Sequence, residues 1–378
     1  MLIKVEKLRN ALKMLEPAIS KRTTIPITQS VLLKEGKIMA TDLETAVIIN
    51  LDEATEPCLL PFDSVFKIIN LIPGTDDLNI EVGKKEVNLS WNGGKASYPT
   101  ADFRDYPEIE KFDAPVIYGD INGNVLINAI SPMVKYAAKE TSRPILCAVH
   151  LLLGEKVIAA AADGFRLVYQ ELPISLGKKD DTISLNLRTI QILEHAWKLD
   201  PVTAPAGKTI FDIATAQRKM TIGIGNAKTE AHQWTGFRFG NVKILATLVA
   251  GTPPAFAGLI PKTTVTVKVM ASSLKQATMR TKDVAVAGSD IVRLKWTDKE
   301  MDVYAKKEEM GEVSASIPIY AVDGPGHVAI NVKYLLEYLG GKEGLVTMGM
   351  ANNTGTGPIL FEHAGAPATV LMSMLVAW

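Results

Sequence analysis

Apolar residues return at three- and four-residue steps in some stretches of the chain and alternate with polar residues in others. Val5, Leu8, Leu12, Leu15 and Ile19 share one helical face, and Leu126, Ile130, Met133 and Ala137 keep the same rhythm. Pro132 interrupts that second pattern, so it must sit in the helix's first turns or kink it. Shorter helices, each opened by an Asx residue, are expected at 62–72 and 185–198. A third pair is expected from "ASSLKQATMRTKD", capped by Ser272–Ser273, and from "INVKYLLEYLGG", ended by Gly340–Gly341. Period-two alternation predicts strands in "DLNIEVGKKEVNLSW", "TIFDIATAQRKMTIGIG", "IVRLKWTDKEMDVYAKKEE" and the terminal "ATVLMSMLVAW".

These elements repeat. Residues 22–42, "RTTIPITQSVLLKEGKIMATD", and 143–163, "RPILCAVHLLLGEKVIAAAAD", share an order: Arg, a Pro-Ile segment, an apolar strand, a Gly-containing turn, a second strand and Asp. Arg22 and Arg143 each precede their Asp by 20 residues. A helix comes before each copy, and a strand and a shorter helix follow it. The chain therefore reads as α+β, three copies of one unit with two helices each on antiparallel strands. The divisions are 1–114, 115–260 and 261–378, near the Pro-containing segments "FDAPVIYGD" and "TPPAFAGLIPK". A length of 378 residues agrees with more than one core.

Composition narrows the chemistry. Lys plus Arg and Asp plus Glu both number 41, so partners must be sought in local charge rather than in the sum. Cys58 and Cys147 lack metal-ligand spacing and read as buried thiols of a reduced, cytoplasmic protein. No window approaches the roughly 18 apolar residues of a membrane helix, so no membrane partner is expected. No phosphate-binding loop or nucleophile elbow occurs. The five histidines are scattered singly, and the acids at 75–77 and 179–181 sit in turns. Neither a catalytic residue, nor a metal site, nor a cofactor is expected. The distinctive feature is a basic face opposite the apolar stripes: Lys7, Arg9, Lys13 and Arg22 in the first unit, Lys135 and Lys139 in the second, Lys275, Arg280 and Lys282 in the third. Such an array suits sequence-independent, salt-sensitive contact with nucleic-acid phosphates.

Taken together, the three repeats with "RTTIPI…ATDLE", "SRPIL…AADGFRL", "INVKYLLEYL" and terminal "VLMSM" resemble the bacterial sliding clamp, the β subunit of DNA polymerase III. The resemblance runs nearly end to end. It implies a ring of clamp domains formed by a head-to-tail homodimer around double-stranded DNA, acting as a non-catalytic, cytoplasmic (nucleoid-associated) processivity factor in DNA replication. It further implies partnership with the polymerase III catalytic subunit, the clamp loader and other proteins carrying a clamp-binding motif. Those partners would insert a peptide into a pocket between the second and third domains.

Carried over position by position, that pocket comprises Leu146; Gly164, Phe165, Arg166 and Leu167 of the turn; Pro254 and Leu259 of the linker; Asn331 and Tyr334; and Val370, Leu371, Met372 and Met374. The chain departs from the family pattern at Ala162, where Thr is usual, at Gly258 and Leu375, where a basic residue is usual, and at Ser373, where Pro is usual. A divergent clamp-fold adaptor that binds partner peptides without encircling DNA is the alternative reading.

Overall fold

The computed structural model describes residues 1–20, 24–109, 116–140, 142–176, 181–200, 218–226 and 233–378. Arg22, Lys179 and Asp180, and residues 209–217 of one expected strand, lie outside the described residues. Six α-helices are described: α1 (Val5–Leu15), α2 (Phe62–Leu71), α3 (Gly123–Met133), α4 (Leu187–Leu199), α5 (Ala271–Ala287) and α6 (Val332–Leu339). They form the three expected pairs. No described helix is long and apolar enough to cross a membrane.

Contacts group the chain into two compact units. The first comprises Met1–Pro132, Leu153–Val157 and Pro173–Ala250, the second Met133–Leu152, Ile158–Leu172 and Gly251–Trp378. This grouping follows contact density, whereas the division at 114 and 260 follows the repeat of elements.

In the first unit, an antiparallel sheet orders Leu2–Lys4, Asp77–Val82, Glu86–Trp91 and Gly94–Pro99. A larger one runs Cys58–Pro61, Ser30–Lys34, Lys37–Thr41, Thr45–Asn50, Val242–Thr247, Gln233–Phe239, Lys219–Asn226 and Val116–Asn122. The apolar stripe of α1 explains its docking: Val5, Leu8, Leu12 and Leu15 are buried completely, and the helix packs against α2 and α4. Burying side chains of this size removes about 1.5–3 kcal/mol each of unfavourable hydration.

In the second unit, strands order as Ala148–Leu153, Val157–Ala162, Arg166–Leu172, Ala368–Met372, Pro358–His363, Leu345–Met350, Val265–Met270, Gly311–Val322, Glu300–Lys307, Ile291–Trp296 and Gly326–Asn331. Helices α5 and α6 cover this sheet through a core that includes Leu274, Val303, Leu335, Tyr338 and Phe361. A smaller cluster forms where Ala160, Ala162, Leu167, Phe256, Leu360 and Val370 meet.

Several local expectations are corrected. Helix α2 begins after Pro61 and α5 after Met270, without side-chain caps, so Asp63 and Ser272–Ser273 occupy first turns instead. Asn186 and Asn331 do act as Asx caps, their carboxamide oxygens accepting from Thr189 N and from Lys333 N and Tyr334 N, and Asn122 Oδ1 accepts from Asn124 N at the start of α3. Pro132 lies in the last turn of α3, where the chain tightens into the 3-10 turn Val134–Tyr136. Its missing N–H ends the α-helical ladder there. Cys58 is buried and its thiol is pushed up to about 12 by desolvation, while Cys147 is half-buried and donates toward Glu140 O.

The repeat also needs a register correction. The 3-10 turns Pro26–Gln29 and Pro144–Cys147 correspond, and the second hairpin then spends three more residues before its Asp. Arg143 thus adjoins its Pro while Arg22 stands four residues before Pro26; their equal distance from Asp does not mean equal position.

His150 lies wholly buried in strand Ala148–Leu153, its ring 5.2 Å from that of Phe256. Desolvation lowers its pKa from 6.5 to about 4, so the folded protein keeps the imidazole neutral where the unfolded chain protonates it. Its contribution to stability is therefore complete above pH 6.5 and is lost as pH falls toward 4, by an amount of order 1–3 kcal/mol. Chemical denaturation of wild type and His150→Gln between pH 7.5 and 4.5 should show a flatter profile in the variant.

Candidate functional site

The sequence "ADGFRL" folds as an Asx turn joining strands Val157–Ala162 and Arg166–Leu172. Asp163 Oδ1 accepts from Phe165 N at 2.9 Å and Arg166 N at 3.0 Å. Gly164 adopts φ +93°, a conformation costly for residues with a Cβ. The turn leaves Phe165 59% exposed and turns Arg166 inward, 7% exposed.

Each nitrogen of the Arg166 guanidinium meets an acceptor. Nε donates to Asp163 Oδ2 at 2.9 Å, one terminal nitrogen to Glu337 Oε2 and the other to Lys135 O. Its Cζ lies 4.2 Å from the centroid of the Tyr334 ring and 5.2 Å from that of Tyr136. A buried cation is tolerated only with such pairing, and cation–π contact adds to it. One side chain therefore ties together the 163–166 turn, the 3-10 turn after α3 and helix α6, whose first turn Asn331 caps. Asp163, Glu337 and Tyr136 were missed in the sequence because their relevance depends on where the Arg166 side chain points.

Around this node the expected residues fall into groups. Leu167 and Val370 pair in register and share the apolar cluster with Phe256 and Leu360. Phe165, Leu259 (50% exposed) and Met372 (40% exposed) offer apolar surface, and Met372 N donates to Phe165 O at 2.8 Å. Tyr334, Asn331, Pro254, Leu146 and Met374 are half-buried. Met374 N donates to Ala329 O, and Pro254 O accepts from Phe256 N. Leu371 is placed apart: one residue from Val370 along a strand, it points to the opposite face and is buried in the core under α5 and α6. Trp378 packs its ring on His327, with centroids 4.1 Å apart.

The first unit holds a counterpart. Asp42 Oδ1 accepts from Glu44 N at 3.2 Å and Thr45 N at 2.8 Å, with Leu43 at φ +81° where Gly164 stands in the second copy. Here the carboxylate is met by Arg188 from α4 at 3.2 Å, and Arg188 also donates to Pro17 O in the 3-10 turn after α1. The position of Arg166 is taken by Thr45, bonded at 2.7 Å to Thr189, which follows Asn186 as Tyr334 follows Asn331. The same framework thus holds Arg against Tyr in one copy and Thr against Thr in the other.

The cations expected on helices divide as well. Arg9 donates to Ile69 O and Ile72 O at the end of α2, and Lys7 binds Glu53 at 2.7 Å, so both serve the first unit's own packing. Lys135 Nζ reaches Glu337 O at 3.4 Å. Lys13, Lys139, Arg280 and Lys282 are exposed and Lys275 half-exposed, without ion pairs to described residues.

A duplicated arrangement of helix pair, 3-10 turn, hairpin and Asx turn on long antiparallel sheets defines a class, the DNA polymerase sliding-clamp fold. Solved structures bear this out. A DNA polymerase sliding clamp from Pseudomonas aeruginosa matches with TM-score 0.84 at 20% identity, covering 100% of this chain and 99% of that one. A DNA polymerase III β subunit from Thermotoga maritima matches with TM-score 0.80 at 20% identity and the same coverage. A Pseudomonas aeruginosa clamp bound to griselimycin matches with TM-score 0.83 at 21% identity. Among curated sequences, the β sliding clamp of Caulobacter vibrioides is 22% identical over 357 residues, 88% of each chain. That of Micrococcus luteus is 22% identical over 310 residues, 80% of this chain and 93% of its own. No family model matches. The chain shares the fold of these sliding-clamp structures and is similar in sequence to the curated β sliding clamps.

Arg166→Ala removes a guanidinium only 6% exposed and with it the partner of both Asp163 and Glu337. We expect a loss of about 3 kcal/mol in denaturant unfolding, against no more than about 1 kcal/mol for Arg188→Ala, whose side chain is 48% exposed.

Proposed function

We propose that this protein is a DNA sliding clamp. Two copies close head to tail into a ring of six repeat domains, each chain contributing 1–114, 115–260 and 261–378. The ring encircles duplex DNA without reading its sequence and tethers the replicative polymerase. It carries out no chemistry of its own: its effect is to keep the polymerase at the primer end by raising its effective concentration there. Lys13, Arg280 and Lys282, exposed on helices, half-exposed Lys275 on α5, and Lys139, exposed just beyond the 3-10 turn that follows α3, supply salt-sensitive contact with phosphates. Arg22 belongs to this set by the resemblance. The setting is the cytoplasm, at the nucleoid, and the clamp loader, the polymerase III catalytic subunit and other proteins with a clamp-binding motif are its partners.

The observation that carries the peptide site is the node at Arg166, which fixes a turn and a capped helix beside exposed Phe165, Leu259 and Met372. Apolar surface held on rigid elements suits a short peptide with large apolar anchors. Leu167 and Val370 form the floor beneath.

Native mass spectrometry at micromolar concentration should give about twice the chain mass of 40.9 kDa. A strictly monomeric protein would favour the non-encircling adaptor instead. Leu167→Ala combined with Met372→Ala should weaken binding of a partner peptide at least about ten-fold by calorimetry while leaving that native mass unchanged. Unchanged affinity would refute the site.

A further inference from the structure

We infer that the groove beneath the 103–109 segment, on the first unit's larger sheet, is a second docking site, and that its ligand is an acidic peptide segment carrying one large apolar anchor. This groove shares no residue with the peptide site beside the 163–166 turn and stands whether or not that site is occupied.

Side-chain alternation along the sheet builds the groove. Leu32, Met39, Ile48, Lys243 and Arg238 are paired across five neighbouring strands, so they form one row on one face. The row begins apolar and ends cationic. The 103–109 segment covers the apolar end, where Phe103, Tyr106 and Ile109 pack with Leu32 and Met39. Tyr106, 5% exposed, pins the segment: its hydroxyl accepts from Thr41 N at 3.2 Å and donates to Ser30 O at 3.3 Å. Between segment and sheet lies a cavity of about 410 Å³ that reaches Ile48, Lys243 and Lys37. A cavity whose cover is already fixed is preformed, so filling it orders little chain.

The repeat shows what sets this groove apart. Ala46 and Leu245 pair here as Leu167 and Val370 pair in the second unit. One step along the same face, Ile48 lies opposite Lys243, whereas Tyr169 lies opposite Ala368. The first copy keeps the apolar floor and adds a cation to it.

Charge then selects the ligand. Lys34 is paired with Glu35 at 3.4 Å and Arg104 with Asp102 at 2.6 Å. Lys37 and Arg238 are exposed and carry no ion pair to a described residue, and Glu108 is the one unpaired acid among the described residues that line the cavity. Burial lowers the pKa of Lys243, and the like charges of Arg238 and Lys37 push it the same way. Carboxylates placed beside these cations relieve their mutual repulsion, while an adjoining apolar side chain fills the space over Met39 and Ile48. The main-chain groups of Glu108 and Ile109 bond to no described residue, which gives a peptide backbone partners along the groove's edge.

The test uses the intact protein, calorimetry and three blocked peptides: Ac-Asp-Glu-Phe-Asp-Glu-NH2, its uncharged form Ac-Asn-Gln-Phe-Asn-Gln-NH2 and its anchorless form Ac-Asp-Glu-Ala-Asp-Glu-NH2. In wild type the acidic Phe peptide should bind at least about ten-fold more tightly than either of the others. Lys37→Gln with Arg238→Gln, both on exposed side chains, should weaken it about ten-fold and erase its advantage over the uncharged form. Met39→Ala should weaken both Phe-containing peptides about five-fold, and Glu108→Gln should tighten the acidic one about two-fold. Two control variants, Leu167→Ala with Met372→Ala and Lys13→Gln with Arg280→Gln and Lys282→Gln, should leave its affinity within about two-fold. Equal affinities of the three peptides for wild type would overturn the inference, as would the absence of saturable binding. So would an affinity that survives Lys37→Gln with Arg238→Gln, or one that falls in either control variant instead.

Discussion

A guanidinium taken out of water must find acceptors for its N–H groups, and the second unit is organised around meeting that demand at Arg166. Asp163 can serve only because its other oxygen shapes the turn that delivers Arg166. Glu337 can serve only because Asn331 starts helix α6 in the right place. Lys135 O is available because Pro132 stops α3 and the chain tightens into a 3-10 turn. Three elements distant in sequence are thereby fixed to one another by a group that is unstable without them. The apolar side chains alongside inherit their positions from this constraint.

The duplicated turn shows which parts of the arrangement are shared framework and which differ between the copies. Asp42 and Asp163 make the same backbone bonds, and Asn186 and Asn331 cap corresponding helices. Between them, the pair in contact is Thr45 with Thr189 in the first unit and Arg166 with Tyr334 in the second. The first copy obtains its arginine from α4 at a more exposed position, and its turn carries Leu43 in a left-handed conformation rather than glycine. A common fold has thus been kept while the contents of one junction have been rebuilt around a buried cation.

Much of this was legible in the sequence. The helical stripes at 5–15 and 332–339, the strand alternation and the repeat itself follow from periodicity, which short segments encode. The residues Gly164 to Leu167 stood out as a candidate site through their resemblance to a family motif. Side-chain destinations were not. Arg9 reads as a free cation on a polar helix face, yet it reaches back to carbonyls at the end of α2. Leu371 sits within a motif but faces the opposite side of its strand from Val370. Glu337 is one acid among 41 until the fold sets it against Arg166. Matching charge, spacing and motif identifies segments; the direction of each side chain requires the packed structure.

The central claim is topological, and one measurement addresses it directly. The protein is loaded onto nicked circular duplex DNA with a compatible clamp loader and ATP, isolated as the complex, and the DNA is then cut once. A ring that encircles DNA stays on the circle through a salt wash and leaves rapidly through the ends once the circle is linear. Retention on the linear form, or loss from the intact circle at the same rate, would contradict the account.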